Sequence, residues 1–227
     1  VIEGRELQLT RHATATGSGT CVGHPVPGNV VRIIAITDDA IPEWTAANPL
    51  CDGRVGEITV VGPSSTDSYF RRPEATALAK IRETLPDGGE RIVHRMGDLG
   101  WFDDQGRLWF CGRKSHRVST ADAVLFTEQV EPVFNSHSAV RRSALVGIGD
   151  RAAQTPVLCI ELQPGIAAGE QAHIANELRA LGRGYPHTAG ITTVLFHPGF
   201  PVDIRHNAKI GREQLAAWAA KTLQNAG

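Results

Sequence analysis

The stretch His94-Arg-Met-Gly-Asp-Leu-Gly-Trp-Phe-Asp-Asp-Gln-Gly-Arg-Leu-Trp-Phe-Cys-Gly-Arg113 decides how the first half of this chain folds. Asp103-Asp104-Gln105-Gly106 is a tight-turn sequence, because Asp accepts turn geometry and Gly supplies a positive φ. Residues 99–102 and 107–111 on either side are rich in strand formers, so the stretch predicts a β-hairpin. Asp98 precedes one arm and Arg113 closes the other. Pairing of the arms would bring a carboxylate and a guanidinium side by side.

Working outward, residues 30–36 and 56–62 are runs of β-branched residues bounded by turn formers, and both predict buried strands. A short helix is expected from Arg72-Pro73-Glu74 to about Leu85, closed by Pro86-Asp87-Gly88-Gly89. Residues 1–113 therefore read mainly as β with one helix. After Arg113 the rhythm changes. Residues 127–136 predict a helix with Pro132 early in it, 142–147 and 157–162 strands, and 169–181 an amphipathic helix with Ile174, Leu178 and Leu181 inward. A strand at 192–197 and a helix at 212–223, with Leu215, Trp218 and Ala219 inward, complete a small α+β domain. The expected organisation is mixed α+β, with a division near Lys114–Ser115 and no internal repeat.

Composition narrows the function classes. The chain has 227 residues, 41% hydrophobic and 21% charged, with a formal net charge of −1. That balance gives no bulk attraction to nucleic acid or an anionic membrane. Cys21, Cys51, Cys111 and Cys159 are scattered without a C-x-x-C pair, which fits free thiols in a reducing cytosol. No apolar run approaches the ~20 residues of a membrane helix. The first residue is Val, so the chain reads as a piece of something longer. Ile2-Glu3-Gly4-Arg5 also spells an engineered protease site, a spelling that native chance produces equally well.

Gly147-Ile-Gly149-Asp-Arg-Ala152 matches the dinucleotide spacing but is followed by a strand, not a helix, and reads as a loop between strands. Gly17-Ser-Gly19-Thr-Cys-Val-Gly23 reads as a flexible turn. The histidines, including His94, His116 and His206, have no metal-ligand spacing and read as surface or supporting groups, so no metal site is expected. No Ser-His-Asp arrangement can be assembled. Asp98 and Arg113 admit two readings. They could hold a sugar diol and its phosphate, or Asp98 could cap a turn and pair with Arg113. Lys209, on chemistry alone, is an ordinary loop lysine.

The order of the pieces resembles the C-terminal half of the adenylate-forming superfamily, which includes acyl-CoA synthetases, firefly luciferase and peptide-synthetase adenylation domains. Gly56-Glu-Ile-Thr-Val-Val-Gly62 with Ser68-Tyr-Phe-Arg-Arg-Pro-Glu-Ala-Thr76 is similar to that family's G-E-[LI]-x-[IV]-x-G…G-Y-x-x-x-P-E-x-T. His94-Arg-Met-Gly-Asp-Leu99 resembles [YW]-[RK]-T-G-D-[LIV], and Gly112-Arg-Lys-Ser-His-Arg-Val118 resembles G-R-x-[DK]-x-x-[VI]. Residues 130–140 match E-I-E-x-x-[IL]-x-x-H-P-x-V, and 201–210 stand where P-x-T-x-x-G-K-I is expected. The resemblance spans residues 20 to 222.

It implies a β-barrel-like subdomain over 1–113, a hinge at Ser115 and a small mobile domain over 114–227. It implies that Asp98 binds ribose hydroxyls, that Arg113 and Phe110 make further nucleotide contacts, and that Lys209 bridges carboxylate and phosphate. The cofactors it implies are ATP or AMP and Mg²⁺, with the metal's ligand upstream of this chain. Departures matter too: Ser119 and Asp122 replace a lysine and glycine of a loop that lines a phosphopantetheine tunnel, Val124 replaces an arginine, and Ala208 a glycine. This altered set is similar to the β-lactone synthetases of bacterial olefin biosynthesis (OleC type). It implies a long-chain 2-alkyl-3-hydroxyacid as substrate and a cytoplasmic enzyme. The remainder of the same enzyme and other olefin-pathway enzymes are its implied partners. Alternatives left open are a fatty acyl-AMP or acyl-CoA ligase and a non-catalytic nucleotide-binding module.

Overall fold

The computed structural model describes residues 1–203 and 209–226. They form two compact units, Val1–Thr10 with Gly19–Ser115, and Arg11–Ser18 with His116 onward. Helix α1 (Gly4–Ala15) spans the division between them. Its helical character is not foreseen from the sequence, because its apolar positions follow no clear 3.6-residue stripe and only Thr10 is buried.

In the first unit the strands are β1 (Thr20–Gly23), β2 (Val30–Ile34), β3 (Pro49–Leu50), β4 (Gly56–Val61), β5 (Lys80–Thr84), β6 (Glu90–Phe102) and β7 (Leu108–Arg113). They run antiparallel in the order β1-β7-β6-β4-β2-β3, with β5 also on β6. The path has two ends, so the barrel-like expectation is met by an open sheet rather than a closed barrel. Ile34, Ile81 and Val93 are fully buried and form its core with Ile41.

The β6–β7 turn shows why the arms meet as they do. The Asp103 carboxylate accepts hydrogen bonds from the Gln105 and Arg107 amides at 3.0 and 2.9 Å. It also accepts from Arg107 Nε at 2.7 Å and Trp109 Nε1 at 2.8 Å. Burial alone would push this carboxyl up, but its donors outweigh that and hold it below the usual range. Gly106, at φ +73°, supplies the left-handed turn position.

One element corrects the sequence reading. The helix expected to reach about Leu85 ends as α2 (Pro73–Ala79), and Lys80–Thr84 is strand β5. Lys80 to Thr84 pair with His94 to Glu90, so Pro86-Asp87-Gly88-Gly89 is a hairpin turn and not a helix stop. Long-range burial decides this: Ile81 has no exposure, and Glu83 is fixed by Arg32 from β2 and Arg91 from β6.

In the second unit β8 (Val118–Ser119) pairs with β9 (Val124–Leu125), and α3 (Thr127–Asn135) follows. Pro132 is the sixth of nine residues in α3 and not early in it; the burial of Val130, Val133 and Phe134 holds the helix despite the lost hydrogen bond. Strands β10 (Val140–Ile148) and β11 (Thr155–Leu162) are antiparallel, and β11 reaches the parallel strand β12 (Thr193–Phe196) through α4 (Gln171–Arg183). Leu145, Leu158 and Ile160 face Val133, Phe134, Ile174 and Leu178 on one side. Ala144, Val146, Val157 and Cys159 face Leu215 and Ala219 of α5 (Arg212–Ala226) on the other. The α+β expectation holds for this unit, and the 149–154 segment is a loop between strands as expected. A short hairpin of β13 (Val202–Asp203) and β14 (Lys209–Ile210) precedes α5.

Arg32 and Arg91, at 2.6 and 2.7 Å, hold the Glu83 carboxyl down at about 2. The folded-state value lies below the unfolded one, so this stabilisation is complete above pH ~4.5 and is lost as pH falls through about 2. Glu83→Gln should cost about 2 kcal/mol at pH 7 after allowance for solvent screening. In urea unfolding the gap to wild type should close between pH ~4.5 and ~2; a gap constant across that window would refute the assignment.

Candidate functional site

The register set by Asp103 carries along the hairpin to its open end. Asp98 lies directly opposite Arg113, Leu99 opposite Gly112 and Gly100 opposite Phe110, with a bulge at Cys111. Arg113 Nη1 stands 3.1 Å from Asp98 Oδ1, and it donates a 3.5 Å hydrogen bond to Met96 O. Gly97, at φ +67°, turns the chain just before Asp98. The Arg113 side chain is half exposed and the Asp98 side chain about one-fifth exposed, although the Oδ1 that faces Arg113 is itself buried. A carboxylate acceptor beside a multi-donor guanidinium suits a vicinal diol, and the chemistry of this donor set fits a nucleotide sugar. Phe110 is half-buried between β6 and β1, where it pairs with Gly100 and Thr20.

Beneath this end lies a charge network that the sequence reading does not single out. Arg95 and Glu57 are almost fully buried and meet at 2.6 Å. Arg95 also donates to the carbonyls of Asp39 and Thr37, each at 2.7 Å. Lys114 Nζ reaches both Glu57 oxygens, at 3.0 and 3.1 Å, and Thr37 O at 3.0 Å. A glutamate inside the β-branched run of β4 was the available signal, since a charge there needs a buried partner. Ser115 follows immediately, exposed, within the single turn Lys114–His116.

In the second unit Lys209 is not a loop residue: it opens β14, exposed, with Asp203 as its register partner. It lines a cleft of about 710 Å³ with His116, Asp203, Arg212, Glu213 and Gln214. Two buried carboxylates bracket this segment. Glu161 is held by Arg141 and Arg142, both at 2.8 Å, and accepts the Phe200 amide at 2.8 Å. Glu131 receives Arg212 through two bonds, at 2.5 and 2.9 Å, and the Leu145 amide at 2.8 Å. Burial pushes the Glu131 carboxyl upward against the pull of Arg212.

Ser119 and Val124 are paired across β8–β9, and Thr120 Oγ1 accepts the Asp122 and Ala123 amides at 3.3 and 3.0 Å, closing a tight turn with Asp122 exposed. Ala208 and His206 lie outside the described residues. His94 is half-buried, with Nδ1 3.2 Å from Ala79 O, and burial followed by the Lys80 charge lowers its pKa. All four cysteines are free thiols, and burial pushes Cys159 up to about 12. Among the described residues no cluster of His, Cys, Asp or Glu could hold a metal ion, and no helix is long and apolar enough to cross a membrane.

No family model matches this chain. It is 64% identical over 220 residues to an olefin β-lactone synthetase of Xanthomonas campestris, covering 97% of this chain and 40% of that protein. It is 59% identical over 224 residues to an olefin β-lactone synthetase of Stenotrophomonas maltophilia, covering 99% and 40%. The chain thus spans about 40% of the length of the curated relatives it matches. Among solved structures, the amide bond synthetase McbA from Marinactinospora thermotolerans superposes with a TM-score of 0.65 at 26% identity, over 87% of this chain and 36% of that one.

The Glu131–Arg212 pair generates a stability prediction. Arg212→Met would leave a buried carboxylate with the Leu145 amide as its remaining described donor, at a cost of about 3–5 kcal/mol. The double variant Glu131→Gln/Arg212→Met keeps an acceptor for that amide without a buried charge. Chemical denaturation should find it more stable than the single variant; the opposite order would show that the pair does not anchor α5.

Proposed function

The chain belongs to the adenylate-forming enzymes, and from that premise we propose that its parent protein converts a long-chain 2-alkyl-3-hydroxyacid and ATP to a β-lactone, AMP and pyrophosphate. The observation that carries the reading is the Asp98–Arg113 pair at the open end of the β6–β7 hairpin. The 64% and 59% identity to olefin β-lactone synthetases, over nearly all of this chain and 40% of those proteins, supports it.

In this reading Asp98 accepts hydrogen bonds from the ribose hydroxyls, Arg113 donates to the same nucleotide, and Phe110 packs near the ribose and adenine. Each charge-assisted bond is worth roughly 1.5–3 kcal/mol. Mg²⁺, whose ligand belongs to the part of its relatives' length that this chain does not span, would offset phosphate charge. Lys209 offsets the negative charge that builds up as the substrate carboxylate attacks the α-phosphorus in line. Ser115 is the pivot that brings the Lys209-bearing unit to the site and takes it away. The 3-hydroxyl oxygen then attacks the activated carbonyl, the bond from that carbon to the AMP phosphate oxygen breaks, the hydroxyl proton leaves with the AMP phosphate, and a four-membered ring closes. An intramolecular nucleophile is already held at its target, so no thioester is needed.

The 119–124 loop favours this over a CoA ligase. It presents exposed Asp122 and no basic side chain, an unfavourable surface for the phosphates of CoA. The remainder of the same polypeptide is the chief partner, and the cytoplasm the expected location.

The product assay is direct. The complete protein with ATP and a 3-hydroxyacid should give β-lactone and AMP without CoA. CoA-dependent thioester would make it a ligase, and no AMP with any acid a binding module. Lys209→Ala should abolish carboxylate-dependent pyrophosphate release while ATP binding is largely kept; a wild-type rate would remove Lys209 from the mechanism.

Residues 1–227 alone should have no ATP affinity measurable by calorimetry at micromolar protein. Missing several charged bonds of ~1.5–3 kcal/mol each weakens binding by orders of magnitude. Tight Mg²⁺-dependent binding would mean that the nucleotide site is misassigned.

A further inference from the structure

The Lys114 ammonium has three donors, and three acceptors surround it: Glu57 Oε1 at 3.0 Å, Glu57 Oε2 at 3.1 Å and Thr37 O at 3.0 Å. Glu57 is held in turn by Arg95, through Nη2 at 2.6 Å and Nε at 3.1 Å. Two cations thus meet at one buried anion, and both also donate to backbone carbonyls, Arg95 to Thr37 and Asp39 and Lys114 to Thr37. The network joins β4, β6, the 37–39 segment and the residue that follows β7. Buried ion pairs contribute little net stability relative to apolar packing, and their better-supported use is to fix one geometry among several. Here the fixed point is the backbone one residue before Ser115.

From this we infer that Lys114 is a positioning residue: clamped by Glu57, it ends the rigid part of the first unit and confines rotation to Ser115. The inference rests on the reading of Ser115 as a pivot. Without the clamp, rotation would spread back into Lys114, while Arg113 stays paired with Asp98 in the β6–β7 ladder, and Lys209 would arrive at the reacting groups with less precision. Misplacement of about an ångström lowers rates by up to a hundredfold without loss of substrate affinity.

The test uses Lys114→Met and Lys114→Arg, both of which leave the Glu57–Arg95 pair in place. In the complete protein Lys114→Met should lower kcat for carboxylate-dependent pyrophosphate release about tenfold or more. KM for ATP should stay within about twofold, and Lys114→Arg should recover most of the rate. In residues 1–227, amide hydrogen exchange in Lys114→Met should quicken at 114 and 115 and remain slow in β4 and β6. Unchanged exchange at 114 and 115, faster exchange throughout the unit, or local loosening with an unchanged kcat would each overturn the proposal. The exchange measurement does not depend on the chemistry. Loss of the parent reaction reading would appear in the wild-type product assay and leave that measurement intact.

Discussion

The structure of the first unit depends on one carboxylate. Asp103 gathers four donors from residues 105 to 109, and this fixes which residue of β6 faces which residue of β7. A shift of one residue would put every side chain of an arm on the opposite face. The bulge at Cys111 then takes up one extra residue, so that Asp98 and Arg113 meet at the far end of the hairpin. The turn is thus remote from the candidate site and still sets its geometry. The same register brings the end of β7 over the buried Glu57–Arg95 pair, which is why Lys114 can reach it.

The second unit uses the same device twice. The strands β13 and β14 have two residues each, and Val202 and Ile210 pack against the core around Phe200 and Leu215. Buried carboxylates hold the chain on either side. Glu161 fixes the Phe200 amide before the hairpin, and Glu131 fixes Arg212 after it. Both acids belong to the face-to-face core of the α/β layers, so Lys209 is exposed on a short arm with rigid roots. Exposure keeps the ammonium hydrated and its charge available, while the roots limit where it can go.

How much of this was legible in the sequence follows from how local each cause is. The β6–β7 hairpin was readable because Asp103 and Gly106 act within their own turn. The second unit was readable because Leu145, Leu158 and Leu178 follow strand and helix periods. Strand β5 was not: Lys80-Ile-Arg-Glu-Thr84 continues a run of helix formers, and what makes it a strand is the burial of Ile81, the pairing with β6 and the hold on Glu83 by Arg91 and by Arg32, 51 residues upstream. The facing of Asp98 and Arg113 was foreseen from their spacing, whereas the Glu57–Arg95–Lys114 network depends on contacts across 38 and 57 residues. No periodicity reports such a contact. The family motifs did mark these positions, but as spelling, without the reason for it.

That reason bears on how the two units divide the proposed chemistry. The charged groups in the family-like stretches fall into two classes. Glu57, Arg95 and Glu131 are buried and matched by opposite charge or by carbonyl dipoles, with the partly buried Arg212 as the partner of Glu131. Asp98, Arg113 and Lys209 keep access to solvent. A buried, matched charge cannot offer a ligand a new bond without losing an old one, whereas an exposed pair exchanges water for ligand at little net cost. The motifs therefore mix two roles along a few residues: one charge fixes the backbone and its neighbour meets the substrate. His94-Arg95-Met-Gly-Asp98 is the compact case, since Arg95 points into the network and Asp98 stands at the open end of the same strand. On the proposed reading, a substitution at Arg95 and one at Asp98 would both lower activity, but the first through the backbone that carries the site and the second through the bond to the nucleotide sugar.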